Sequence, residues 1–96
     1  MNYNTLHIFE YGECQVITDS ENKKVPTEDC PSAQAVIDMV YALKPEGNTA
    51  GTDYQNVTII RDIYGSYSAL DGYFRVEYSE LDSELIDQLI EEIQSA

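Results

Sequence analysis

Tryptophan is absent, histidine occurs once, and lysine and arginine together number five against eighteen aspartates and glutamates. The resulting formal charge of −13 lies well beyond the magnitude of about 2–8 usual for a small soluble surface. Such an excess repels nucleic acid, anionic membranes and acidic substrates at long range, so a direct partner of any of these kinds is not expected. Long apolar runs are also missing, and nothing approaches the ~18 consecutive apolar residues of a membrane span. The opening MNYNTLHIFEYGE carries neither the basic nor the apolar region of a secretory leader, which points to a cytoplasmic protein. In that reducing setting Cys14 and Cys30 read as free thiols.

Catalytic and metal signatures are as scarce as cations. His7 has no evident partner on its strand, and Cys30, at a helix entry where a thiol can be activated, has no histidine to act with it. The run Asp19 to Lys23 puts lysine at the third ligand position of a calcium loop, and GNTAGTD lacks the Gly-Lys-Ser/Thr of a phosphate cradle. The expectation is therefore a chain without catalytic residues, metal or cofactor, not an enzyme but a binding protein.

What is present suffices for one folded domain over residues 1–96. The apolar fraction of 43%, with tyrosine supplying eight of ten aromatics, is that of a globular chain. Tyr3 to Glu10 alternates Leu6 and Ile8 against Thr5, His7 and Phe9, and a turn at Tyr11-Gly12 returns it through Cys14 to Thr18, giving a first hairpin. DSENKKVPTEDC reads as an exposed connection. From Pro31, the apolar residues Ala33, Val36, Ile37, Val40 and Leu43 recur at helical spacing until Pro45. Ala35, Met39 and Ala42 form a second small apolar stripe on that helix. PEGNTAGTD reads as a loop. The strands VTIIRDI and YFRVEYS then give a second hairpin, with Phe74, Val76 and Tyr78 on one side and Tyr73, Arg75 and Glu77 on the other. Ser79 with Asp82 reads as a helix cap, and Leu85, Ile86, Leu89, Ile90 and Ile93 form the apolar face of a final helix.

The order ββαββα predicts an α+β two-layer sandwich, an antiparallel sheet of about four strands with both helices on one face. The other sheet face is left open, with Thr5, His7, Arg75 and Glu77 as candidates to occupy it.

Two stretches stand out as partner-binding candidates. In SELDSELIDQLIEE every charge is negative, and a 100° step aligns Glu80, Glu84, Asp87 and Glu91 opposite the apolar face, with Glu77 nearby. Like charges at i,i+4 cost a few tenths of a kcal/mol each, a penalty that basic partner charge would offset. The second is YGSYSALDGY, in which Tyr64, Tyr67, Asp71 and Tyr73 sit among glycine and serine, the composition of an adaptable binding loop.

In size and charge the chain is similar to the small acidic inhibitors that phages direct against host nucleases, glycosylases and CRISPR complexes, and to nuclease-toxin immunity proteins. That likeness is of composition, not of an alignable motif. It implies a non-catalytic inhibitor occupying a basic, nucleic-acid-binding site on a larger protein. Full DNA mimicry would need acids beyond the last helix, since one stripe offers a charge every ~5.4 Å against ~3.4 Å for a DNA strand. The alternative is an assembly adaptor that pairs through apolar surface such as Ala35, Met39 and Ala42, with a homodimer left open.

Overall fold

The computed structural model describes residues 3–43, 56–71, 74–77 and 80–96, with side chains described outside the stretch 71–79. Among the described residues it is an α+β fold: a six-stranded antiparallel sheet with two helices in one layer over it. The strands are β1 (Thr5–Phe9), β2 (Glu13–Ile17), β3 (Asn22–Pro26), β4 (Asn56–Arg61), β5 (Tyr67–Asp71) and β6 (Phe74–Glu77), and the helices are α1 (Ala33–Ala42) and α2 (Ser83–Ser95). Their order in the sheet is β3-β2-β1-β4-β5-β6.

The expected four strands and ββαββα order are thus corrected to six strands in the order βββαβββα. Both additional strands are weakly patterned. In β3, read from sequence as an exposed connection, Val25 is the buried residue. The Lys23 side chain on the same face reaches the rim, where its ammonium donates to the carbonyls of Gln94 and Ala96 at the end of α2. A lysine bonding the last carbonyls of a helix is favourable, but in a sequence it hides the inward alternation. In β5 the inward residues are Tyr67 and the small Ala69, flanked by the Gly and Ser that suggested a loop.

The core lies between the layers. Leu6 and Ile8 of β1, Cys14 and Val16 of β2, Val57 and Ile59 of β4 all point into it and are buried. From above, α1 contributes Ala33, Val36, Ile37 and Val40, and α2 contributes Ile86, Leu89, Ile90 and Ile93, as their 3.6-residue spacing predicts. The opposite sheet face is open, and Thr5, His7, Gln15 and Thr58 are half-buried there. Arg75 and Glu77 occupy the register positions opposite Leu70 and Ser68, while their side chains lie outside the described ones. Pro45, the loop 45–53 and Tyr78 lie outside the described residues.

The chain consists of two βββα halves joined along one seam, where β1 pairs with β4 from Thr5↔Ile60 to Phe9↔Asn56. Within each half every strand pairs with its sequence neighbour. The helices cross over: α1 lies against β4, and α2 against β2 and β3.

The final helix starts later than the sequence suggests. Ser79 lies outside the described residues, and the cap is Asp82, whose carboxylate accepts from the backbone N–H of Glu84 at 3.1 Å and of Leu85 at 3.3 Å. Asp82→Ala is expected to destabilise the fold by about 1 kcal/mol, read as a lowered urea midpoint with an unchanged slope. Asp82→Asn should keep most of that stability.

Candidate partner-binding surface

The β4–β5 hairpin turns through Asp62–Ser66, and its backbone is held in one shape. Asp62 accepts on one carboxylate oxygen from the N–H of Tyr64 at 2.8 Å and of Ser66 at 2.9 Å. Its own N–H donates to the Ser66 carbonyl, and Gly65 donates to the Asp62 carbonyl. Gly65 sits at φ 85°, a left-handed conformation that favours glycine. The rigid turn presents two large apolar side chains to solvent, Ile63 at 91% exposure and Tyr64 at 86%.

Tyr67, three residues on, does not belong to that exposed group. It is buried, its ring stacks on Tyr3 at 5.6 Å between centroids, and the Arg61 guanidinium lies 5.8 Å from its centroid. Its hydroxyl donates to Asp87 Oδ1 at 2.7 Å. The Tyr3 hydroxyl is itself buried without a hydrogen-bond partner among the described residues. Burial raises the Tyr3 phenol well above its ordinary range, with Tyr67 and Asp87 adding to the effect and Arg61 opposing it.

This one bond, between β5 and the middle of α2, brings the two sequence-predicted stretches together. The structure divides their residues, however. Glu84 and Glu91 are exposed on α2, Asp87 is half-buried against Tyr67, and Glu80 is exposed but precedes the helix. The aligned stripe on the helix is therefore shorter than the sequence suggests, because the Asp82 cap delays the first turn. Tyr73 lies outside the described residues, and the side chains of Asp71 and Glu77 lie outside the described ones. Sequence reasoning missed Ile63, which the β-branched run VTIIRDI had placed in a strand. The signal was Asp62 followed by Gly65, an Asx-turn spacing that ends the strand at Arg61.

Glu92, the remaining helix acid, faces inward to α1. Its two carboxylate oxygens accept from the backbone N–H of Ser32 at 2.9 Å and from the Ser32 hydroxyl at 2.6 Å. This caps α1 from another element, as Ser32 makes no side-chain cap bond of its own.

At the opposite end of the sheet, Phe9, Tyr11, Glu13, Gln15, Lys24 and Asn56 line an open groove of about 550 Å³. His7 shares a hydrogen bond with the Thr58 hydroxyl at 3.0 Å, and its ring lies 6.3 Å from that of Phe9. On this open face the charged residues of β1 to β4 are Glu13 and Lys24, and His7 faces Gln15, which in turn faces Lys24. Cys30 is not an activated thiol: burial, then the neighbouring Cys14, pushes it up to about 12. Among the described residues no group of three or more histidines, cysteines or acids is arranged to hold a metal. Among the described residues no helix is long and apolar enough to cross a membrane. No family model matches the chain, and no curated protein and no solved structure matches it.

Proposed function

We propose that this protein is a non-catalytic inhibitor that docks on a basic, nucleic-acid-binding site of a larger protein, in the manner of phage anti-defence or nuclease-immunity proteins. The Tyr67–Asp87 hydrogen bond carries the reading. It fixes a rigid apolar tip, Ile63 and Tyr64, to the helix that carries exposed Glu84 and Glu91. An apolar anchor with a charged rim is the usual division of labour in an interface, the anchor supplying affinity and the rim on-rate and orientation. Seven residues of helix separate Glu84 from Glu91, about 10 Å along the axis, so the helix matches a basic patch in sign without reproducing the charge density of a DNA strand.

The test is capture of partners from the source lysate by tagged protein, washed at low and then high salt, beside a Glu84→Lys/Glu91→Lys variant. Asp87 is left intact because it holds Tyr67. The expected result is a basic nucleic-acid-binding protein retained at low salt, shed at high salt, and bound about tenfold or more weakly by the variant. Retention that ignores both salt and the reversals would overturn the reading.

A second reading, an assembly adaptor that self-associates, is favoured by one observation. Among the described side chains, the open face of β1 to β4 carries two charged residues, Glu13 and Lys24, and exposes Phe9 at 43% and Ile60 at 37%. The helix stripe suggested by sequence supports it less, because Met39 packs against the core while Ala35 and Ala42 are exposed. Self-association that persists in high salt would favour the adaptor.

A further inference from the structure

Cys14 and Cys30 lie far apart in sequence role but together in space. Cys14 is wholly buried near the start of β2, and Cys30, 4% exposed, follows the 3₁₀ turn Thr27–Asp29 at the entry to α1. The register Glu13↔Pro26 and Cys14↔Val25 sets the start of that turn beside Cys14. The Cys30 N–H donates to the Thr27 carbonyl, closing the turn back over β2. Cys14 Sγ is 3.7 Å from the Thr27 hydroxyl and Cys30 Sγ donates to the Pro26 carbonyl at 3.7 Å, so both sulfurs lie against the same Pro26–Thr27 corner, close enough for each thiol to influence the other's ionisation. Neither contributes to the docking surface, which is at the other end of the sheet.

Only Cys30 of the pair has a route outward. It lines a groove of about 560 Å³ between the β1–β2 turn and α1, bordered by Glu10, Glu28 and Gln34. The acids there disfavour anionic oxidants such as glutathione disulfide, and the low exposure of the sulfur excludes bulky ones. A small neutral hydroperoxide meets neither obstacle.

We propose that Cys14 and Cys30 form a reversible oxidation site, closed to an intramolecular disulfide by hydrogen peroxide, the smallest neutral hydroperoxide, entering through this groove. The Cys30 thiolate attacks one peroxide oxygen. An S–O bond forms, the O–O bond breaks, and the departing hydroxide takes a proton to leave as water, giving a sulfenic acid. The Cys14 thiolate then attacks that sulfur, the S–S bond forms, and the sulfenic oxygen leaves as a second water with the remaining proton. Two electrons pass from the thiols to the peroxide, and a dithiol reductant returns them. The bridge closes a loop containing all of β3, so the oxidised protein is the more heat-resistant form.

The groups around Cys30 set the pace. Burial, Cys14, Glu92 and Asp29 all act to keep the thiol protonated, raising it to about 12, and burial raises Cys14 as well. The thiolate is the reacting form, so the rate rises about tenfold per pH unit in the range well below that value.

The experiment exposes the native, reduced protein to hydrogen peroxide at pH 8 and pH 9, removes the peroxide, denatures, and alkylates with a maleimide before intact-mass measurement. The expected product is a monomer about 2 Da lighter that takes up no maleimide and regains two reactive thiols with dithiothreitol. In Cys14→Ser the same treatment should leave Cys30 as a sulfenic acid that dimedone traps. Two thiols that stay alkylatable, a Cys30 overoxidised beside an intact Cys14, or a disulfide between chains would each overturn the proposal. The wild-type mass decides this even if the variant does not fold.

Discussion

Replacing Ile63 and Tyr64 together with serine is expected to weaken the complex with the proposed basic partner by about 700-fold. The same change should leave thermal unfolding within about 2 °C of wild type, because both side chains are almost wholly in solvent and their removal opens no cavity. Anchors of this kind contribute about 2 kcal/mol or more each when truncated, and 1.4 kcal/mol is tenfold in affinity. The loss should fall on the dissociation rate, whereas Glu84→Lys and Glu91→Lys should act mainly on association and its salt dependence. Surface plasmon resonance beside calorimetry separates these effects. A double variant that binds as tightly as wild type would remove the hairpin tip from the interface and leave the acids without an anchor.

Glu92→Ala is the substitution expected to cost the fold most for a residue that is not apolar. It removes both acceptors from Ser32, whose N–H and hydroxyl are then left in a site only 5% exposed. It also takes a carboxylate away from the positive end of α1, where Ser32 provides no side-chain cap. Two stranded donors and a lost charge–dipole contact together cost about 2–4 kcal/mol. For a domain of this size that is a fall in Tm of about 10–20 °C. Glu92→Gln keeps the shape and one acceptor and should lose about half as much. Equal stability of Glu92→Ala and wild type in a urea titration would show that α1 does not depend on this bond.

Glu92 also marks where sequence reading reaches its limit. Its helix was legible, because Ile86, Leu89, Ile90 and Ile93 repeat at a period that only a helix satisfies, and α1 was legible for the same reason. The first hairpin was legible because Leu6, Ile8, Cys14 and Val16 alternate on both sides of a glycine turn. Periodicity failed where tertiary contacts supply the inward face. Lys23 points inward because the end of α2 offers it carbonyls, and Tyr67 points inward because Asp87 accepts its hydroxyl. Both partners are remote, so neither residue looks like part of a strand from its neighbours. The same remoteness redistributed the candidate site. Charge spacing could align Glu84, Asp87 and Glu91, but only the packed structure shows that Asp87 is engaged, that Glu92 serves α1, and that Ile63 stands outside the strand that seemed to contain it.

The crossed helices tie the two halves into one cooperative unit. Each three-stranded meander forms from short hairpins and closes its loops at little entropic cost, while the β1–β4 seam joins residues as distant as His7 and Thr58. Yet α1 rests on β4 of the other half, and α2 on β2 and β3 of the first. A half on its own would lose these cross-half contacts, leaving in the second half the Tyr67–Asp87 bond between β5 and α2. Local structure can therefore appear early, but neither half gains a buried core until the seam closes, so a chain with twofold topology should melt in a single transition rather than as two independent pieces.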